Sequence, residues 1–127
     1  SDGKFGRIEA INLKTGQTVW TLRQRAPMAS SMLASAGGVL FSGSHDRLFH
    51  AYNGADGKLL WEVSLNSAPS SSPVTYSING VQYVAVIAGG GGPLDAGGGA
   101  LTPEIDDPAG ATTLWVFKLR NEAPAQR

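Results

Sequence analysis

The sequence predicts an all-β fold assembled from repeated sheets of short strands, and three observations carry that prediction. The first is punctuation: 17 glycines and 7 prolines in 127 residues suit many brief strands joined by tight turns. The second is the lack of long amphipathic helical runs between those turns. The third is an internal repeat. Ala10-Ile11-Asn12-Leu13-Lys14-Thr15-Gly16-Gln17-Thr18-Val19-Trp20 recurs as Ala51-Tyr52-Asn53-Gly54-Ala55-Asp56-Gly57-Lys58-Leu59-Leu60-Trp61, and Ala, Asn, Gly and Trp coincide without a gap at an offset of 41 (Asn12 to Asn53). A period of about 40–50 residues built of short strands belongs to propeller blades.

Each half of the repeat has a physical reading. Asn12 and Asn53 end a strand and can bond back to their own turn, while Gly16 and Gly57 can take the positive φ of a tight reversal. Trp20 and Trp61 follow early in the next strand, where an indole buries a large area and offers its N–H to a neighbouring blade.

Strands read around this frame run in order. Phe5–Ile11 and Thr18–Leu22 form a pair. Ser31–Ser35, Val39–Ser42, Leu48–Tyr52 and Leu59–Val63 form a set of four, with Ala36-Gly37-Gly38 and Ser44-His45-Asp46 as turns. Val74–Ile78 and Val81–Ala88 flank Asn79-Gly80, a strong short hairpin signal. A loop of roughly two dozen residues precedes a last strand at Thr113–Leu119, and 120–127 reads as a frayed tail. The prediction is one complete four-stranded blade between two partial ones, a β-propeller segment over 1–119. Because repeat units cannot bury their faces alone, the missing strands are expected from another chain or from an N-terminal part.

Composition removes several functions. Lys+Arg 10 balances Asp+Glu 10, which argues against gripping nucleic-acid phosphates. With no cysteine, the chain has no disulfide, Cys-ligated zinc, thiolate nucleophile or C-x-x-C-H haem attachment. No apolar run approaches the roughly 18 residues of a membrane span.

The repeated A-x-N-x-x-[TD]-G-[QK]-x-x-W resembles the tryptophan-docking motif of the eight-bladed quinoprotein alcohol dehydrogenases, which use pyrroloquinoline quinone (PQQ) with calcium or a lanthanide ion. Three further segments share the resemblance: Leu33 to Gly43 is similar to the family's L-A-T-A-G-G-x-V-F-x-G hairpin, Pro73–Tyr76 with Gly80–Val86 to its P-V-T-Y…G-x-Q-Y-V-A-V segment, and Leu114–Leu119 to its closing strand. The resemblance runs from about Gly3 to Leu119.

It implies the C-terminal part of a periplasmic enzyme that oxidises an alcohol to an aldehyde or ketone. Its partners would be the remaining N-terminal propeller chain, an alcohol and an electron acceptor such as a cytochrome c. Catalytic and metal-binding residues would lie upstream. The family places two walls near the cofactor, commonly W-G-G and G-G-W, and these align with Ala29-Ser30-Ser31 and Gly91-Gly92-Pro93. Ala29, Ser30, Gly91, Gly92 and Pro93 are thereby the candidate cofactor-binding residues. The absence of both tryptophans implies a roomier pocket for a bulkier alcohol.

Other residues are weighed against structural roles. His45, in a turn, and His50, mid-strand, show no orienting third partner and read as structural or solvated. The Gly89–Gly92 and Gly97–Gly99 runs match no phosphate-loop pattern, and no helix is expected after them. They read as a loop at the ring face, and Gly89–Gly110 is a candidate rim for substrate access or for contact with a partner chain. Glu104, Asp106 and Asp107 fit no EF-hand spacing and read as a solvated turn. The alternatives from other classes are a non-catalytic propeller scaffold for protein assembly and a small oligomer closing its own ring.

Overall fold

A computed structural model describes residues 2–91, 95–106, 108 and 111–120. Among them are nine strands: β1 Gly6–Ile11, β2 Thr18–Gln24, β3 Leu33–Ala34, β4 Val39–Gly43, β5 Leu48–Asn53, β6 Leu59–Ser64, β7 Val74–Ile78, β8 Val81–Ala88 and β9 Thr113–Lys118. They form antiparallel sheets of two, four and three strands, in the orders β1-β2, β3-β4-β5-β6 and β7-β8-β9. That is the arrangement the repeat predicts. The expected strand at Ser31–Ser35 shrinks to Leu33–Ala34, because Ser30 and Ser31 turn their hydroxyls to Gly43 and Ser72.

The docking turns form as their chemistry requires. Asn12 Oδ1 accepts from Lys14 N and Asn53 Oδ1 from Ala55 N, both at 2.9 Å. Gly16 and Gly57 take φ values of +69° and +73°, the left-handed region that a Cβ disfavours. Trp20 then reaches the middle sheet, its Nε1 donating to the Gly54 carbonyl at 3.0 Å.

Alternation along the strands gives the middle sheet two packed faces. Phe41, Phe49 and Ala51 meet Val84, Val86 and Ala88 of the third sheet in the main core. Phe49 and Phe117 stack at 5.8 Å, and Trp61 stands edge-on to Phe117 at 5.0 Å. Burying side chains such as Phe49 and Val86 contributes about 1.5–3 kcal/mol each. Ser42, His50 and Tyr52 occupy the opposite face and are equally buried.

The third sheet has no such cover on its outer side. The register places Val74, Tyr76, Ile78, Ile87, Leu114 and Val116 on one face, all exposed. Beneath the unpaired edge of β9 lies an apolar cavity of about 520 Å³ lined by Phe41, Phe49, Trp61, Val84, Phe117 and Leu119. No helix among the described residues is long and apolar enough to cross a membrane.

The segment between β8 and β9, expected as loop throughout, carries a short helix, α1 Asp95–Leu101. Three consecutive glycines give it poor propensity, and seven residues are too few for a helix to stand alone. Docking against other parts of the fold holds it. Residues 121–127, the bulk of the expected tail, lie outside the described residues.

Candidate functional site

Antiparallel pairing sorts the chain reversals to two ends of the arc. The turns at Asn12–Gly16, Asn53–Gly57 and Asn79–Gly80 occupy one end. The segments leaving β2 and β6, the β4–β5 turn and the β8–β9 insert occupy the other. Ala29, Ser30 and Gly91 all belong to this second end. Gly92 and Pro93 lie outside the described residues.

The loop bearing Ala29 and Ser30 is clamped onto the end of β4. Ala29 N and Ser30 N donate to the Gly43 carbonyl at 2.9 and 3.3 Å, and Gly43 N donates back to Ser30 Oγ at 2.8 Å. From there a line of serines crosses to the third sheet. Ser31 Oγ bonds Ser72 Oγ at 2.5 Å, Ser71 Oγ accepts from Ile87 N at 2.9 Å, and Ser70 Oγ donates to the Gly89 carbonyl at 2.6 Å. Ser31 and Ser72 are separated by the repeat offset of 41, so the same blade position provides both ends of the bridge. The offset is the signal that would have found this contact from sequence.

Gly89, Gly90 and Gly91 all take positive φ, from +72° to +86°. A Cβ on Gly90 would stand 2.6 Å from Thr112 Oγ1, so the outgoing and returning limbs of the insert approach closely only because glycine is there.

The remaining candidates fall into different roles. His45 is buried, not solvated; its ring packs on Gly98 of α1, where a Cβ would meet Nε2 at 2.2 Å. His50 lies on the buried face of the middle sheet opposite the main core, stacked on Tyr52 at 5.3 Å, with Nε2 3.5 Å from a Glu62 carboxylate oxygen. Burial pushes its pKa below the usual 6.5, against the pull of Asp46, Glu62 and the Ser42 backbone. The same burial, with Asp46 and Glu62 adding to it, raises the Tyr52 phenol to about 12. Both groups are therefore neutral at pH 7. Glu104 is an exposed turn residue, as expected, but it is also paired: the Arg25 guanidinium holds both its oxygens, at 2.7 and 3.0 Å. Asp106 is exposed, and Asp107 lies outside the described residues. The expectation that no helix follows the first glycine run is corrected by α1, which encloses Gly97–Gly99.

Chemically, this end offers serine hydroxyls, backbone amides and small side chains. The serine hydroxyls are already engaged with one another and with the strand-end backbone, so the set presents mainly small side chains and close backbone approach. It does not suit a hard cation, which needs several clustered oxygen ligands. No group of three His, Asp or Glu side chains close enough to hold a metal occurs among the described residues.

The profile of the family described as "PQQ: Glucose/ethanol/alcohol dehydrogenase, beta-propeller domain" matches residues 1–84, well over half the chain. The chain belongs to this family. It is 33% identical over 115 residues to quinoprotein alcohol dehydrogenase PedH of Pseudomonas putida, covering 91% of the chain and 19% of that relative. Among solved structures, a europium-containing methanol dehydrogenase superposes with a TM-score of 0.77 at 31% identity, covering 93% of the chain and 24% of that protein. The chain thus spans about a fifth of the length of such PQQ dehydrogenases. BamB from Moraxella catarrhalis also superposes, with a TM-score of 0.51 over 66% of the chain and 26% of that protein, and at 16% identity it shares the fold alone.

Proposed function

We propose that the chain is the C-terminal part of a closed propeller in a PQQ- and metal-dependent dehydrogenase that oxidises an alcohol to an aldehyde or ketone. The observation carrying this reading is the serine bridge from the Ala29–Ser30 loop to the Gly89–Gly91 turn. The family resemblance expects walls beside the quinone at Ala29-Ser30-Ser31 and at Gly91-Gly92-Pro93, and the bridge joins the first of these to the turn that leads into the second. Bound PQQ supplies a carbonyl that accepts hydride from the alcohol carbon. This chain's share is to hold and to shape. Gly43 fixes the Ser30 hydroxyl, the serine line ties that loop to Gly89 at the start of the glycine run, and the small side chains leave room for a bulkier alcohol.

The metal is calcium or a lanthanide, and its ligands belong to the upstream part of the protein. That part also covers the apolar outer face of the third sheet and adds a strand to β9, filling the cavity beside Trp61. The enzyme works in the periplasm and passes electrons to an acceptor such as a cytochrome c. Reconstituting the assembled protein with PQQ and either calcium or a lanthanide tests the proposal. Alcohol-driven reduction of an artificial electron-accepting dye, dependent on both additions, is expected. Its absence with short and long alcohols alike contradicts the reading.

A further inference from the structure

We propose that Asn79 is a site of spontaneous deamidation, whereas Asn53, the other asparagine followed by glycine, is shielded by the fold from the same reaction. Glycine after asparagine leaves the next backbone nitrogen unobstructed, because no Cβ stands beside it. That nitrogen loses its proton and attacks the side-chain amide carbon. A new C–N bond forms, the bond to Nδ2 breaks, and ammonia leaves with the proton. Water then opens the cyclic imide at either carbonyl, giving aspartate or isoaspartate. Solvent is the only co-reactant, and the chemistry is independent of the quinone.

The two sites differ in what holds the attacking nitrogen and the amide under attack. Asn53 and Gly54 are half-buried, and both reacting groups are engaged. Gly54 N donates to the Gly38 carbonyl at 2.8 Å, and Asn53 Oδ1 accepts from Ala55 N at 2.9 Å. The backbone is tied as well: Asn53 N donates to the Lys58 carbonyl and Gly57 N to the Asn53 carbonyl, both at 2.8 Å. Trp20 Nε1 then pins the Gly54 carbonyl at 3.0 Å. Cyclisation here has to free the nitrogen and the amide and twist a peptide that the neighbouring sheet holds.

Asn79 and Gly80 have none of these restraints. Both are exposed, and neither Gly80 N nor the Asn79 side chain bonds any described residue. A Cβ on Gly80 would meet nothing within 4 Å. With φ values of +50° and +76°, the pair makes a two-residue reversal that closes on Ile78 and Val81. Only this tip has to open for the reaction, and such openings cost little. The product sets a carboxylate on a chain whose formal net charge is zero. Its isoaspartyl form also adds a backbone carbon to a loop whose length fixes the register, so the pairing of Ile78 with Val81 loosens.

The test ages the purified, assembled protein in mildly alkaline buffer beside the same protein unfolded in urea, and follows both asparagines by peptide mapping. In urea the two convert at similar rates, because the reacting pair of residues is the same. In the folded protein Asn79 is expected to convert roughly ten-fold faster than Asn53, the ratio that about 1.4 kcal/mol of added barrier produces. Anion exchange then separates the acidic form, and its isoaspartyl fraction is expected to exchange the amides of 78–82 faster than the parent. Asn79→Gln, whose longer side chain closes the ring poorly, removes the acidic form. Three results overturn the proposal: a folded Asn79 still intact when the unfolded chain has converted, an Asn53 that converts as fast as Asn79, or an isoaspartyl fraction that exchanges like the parent.

Discussion

The indole of Trp20 and the backbone of Gly57 form one joint between successive sheets. Trp20 Nε1 donates to the neighbouring Gly54 carbonyl at 3.0 Å, and its ring lies where a Cβ on Gly57 would fall, 2.7 Å from Cε3. The turn glycine of one repeat is thus the landing site for the tryptophan of the repeat before it. That explains why the motif needs Gly and Trp together at fixed spacing.

Two glycines with similar backbone geometry should therefore respond differently to alanine. Gly80 has φ +76° and open space, so Gly80→Ala carries backbone strain alone, about 1–2 kcal/mol. Gly57 has φ +73° and the indole against it, so Gly57→Ala adds overpacking and costs roughly 3 kcal/mol. Urea denaturation of both variants checks the order. Equal losses would mean that Trp20 moves aside freely.

The outer face of the third sheet should tolerate charge until it meets its partner. Leu114 is 64% exposed, so Leu114→Glu is expected to leave the strands of this chain intact by far-ultraviolet circular dichroism. Burying that carboxylate against an apolar partner blade costs several kcal/mol. The variant should accordingly fail to associate with the upstream part in a pull-down. Undiminished association would show that this face stays open to solvent.

His50 predicts a pH dependence of stability. Its folded pKa is lowered by burial, so the unfolded chain binds the proton more readily. Stability is then full above the unfolded value near 6.5, falls as pH drops below it, and levels off once pH passes the folded value. The loss amounts to about 1.4 kcal/mol for each unit of lowering. His50→Gln should flatten this slope in denaturation curves taken from pH 7.5 downward. A parent slope of the opposite sign would show that Asp46 and Glu62 outweigh burial.

Much of the fold was legible because its signals are local. Asn12 and Gly16 bond or turn within a few residues of their positions in the motif, Asn79-Gly80 sets its hairpin alone, and the repeat itself marks Trp20 as the piece that reaches the next sheet. The site was legible only in part. Ala29, Ser30 and Gly91 do share one end of the arc, yet nothing in their vicinity announces the bridge from Ser31 to Ser72. Helix α1 was missed because its glycines oppose helix formation, and its supports, His45 and Arg25, lie more than fifty residues earlier. The same distance hid the ion pair that ties the exposed Glu104 to Arg25.

The central claim is that this chain completes a larger PQQ-binding ring, and the native mass of the purified protein tests it most directly. The account predicts a species several times heavier than 13.2 kDa that retains PQQ and releases or contains a larger polypeptide on denaturation. A cooperative, folded species of 13.2 kDa with no affinity for PQQ would contradict it.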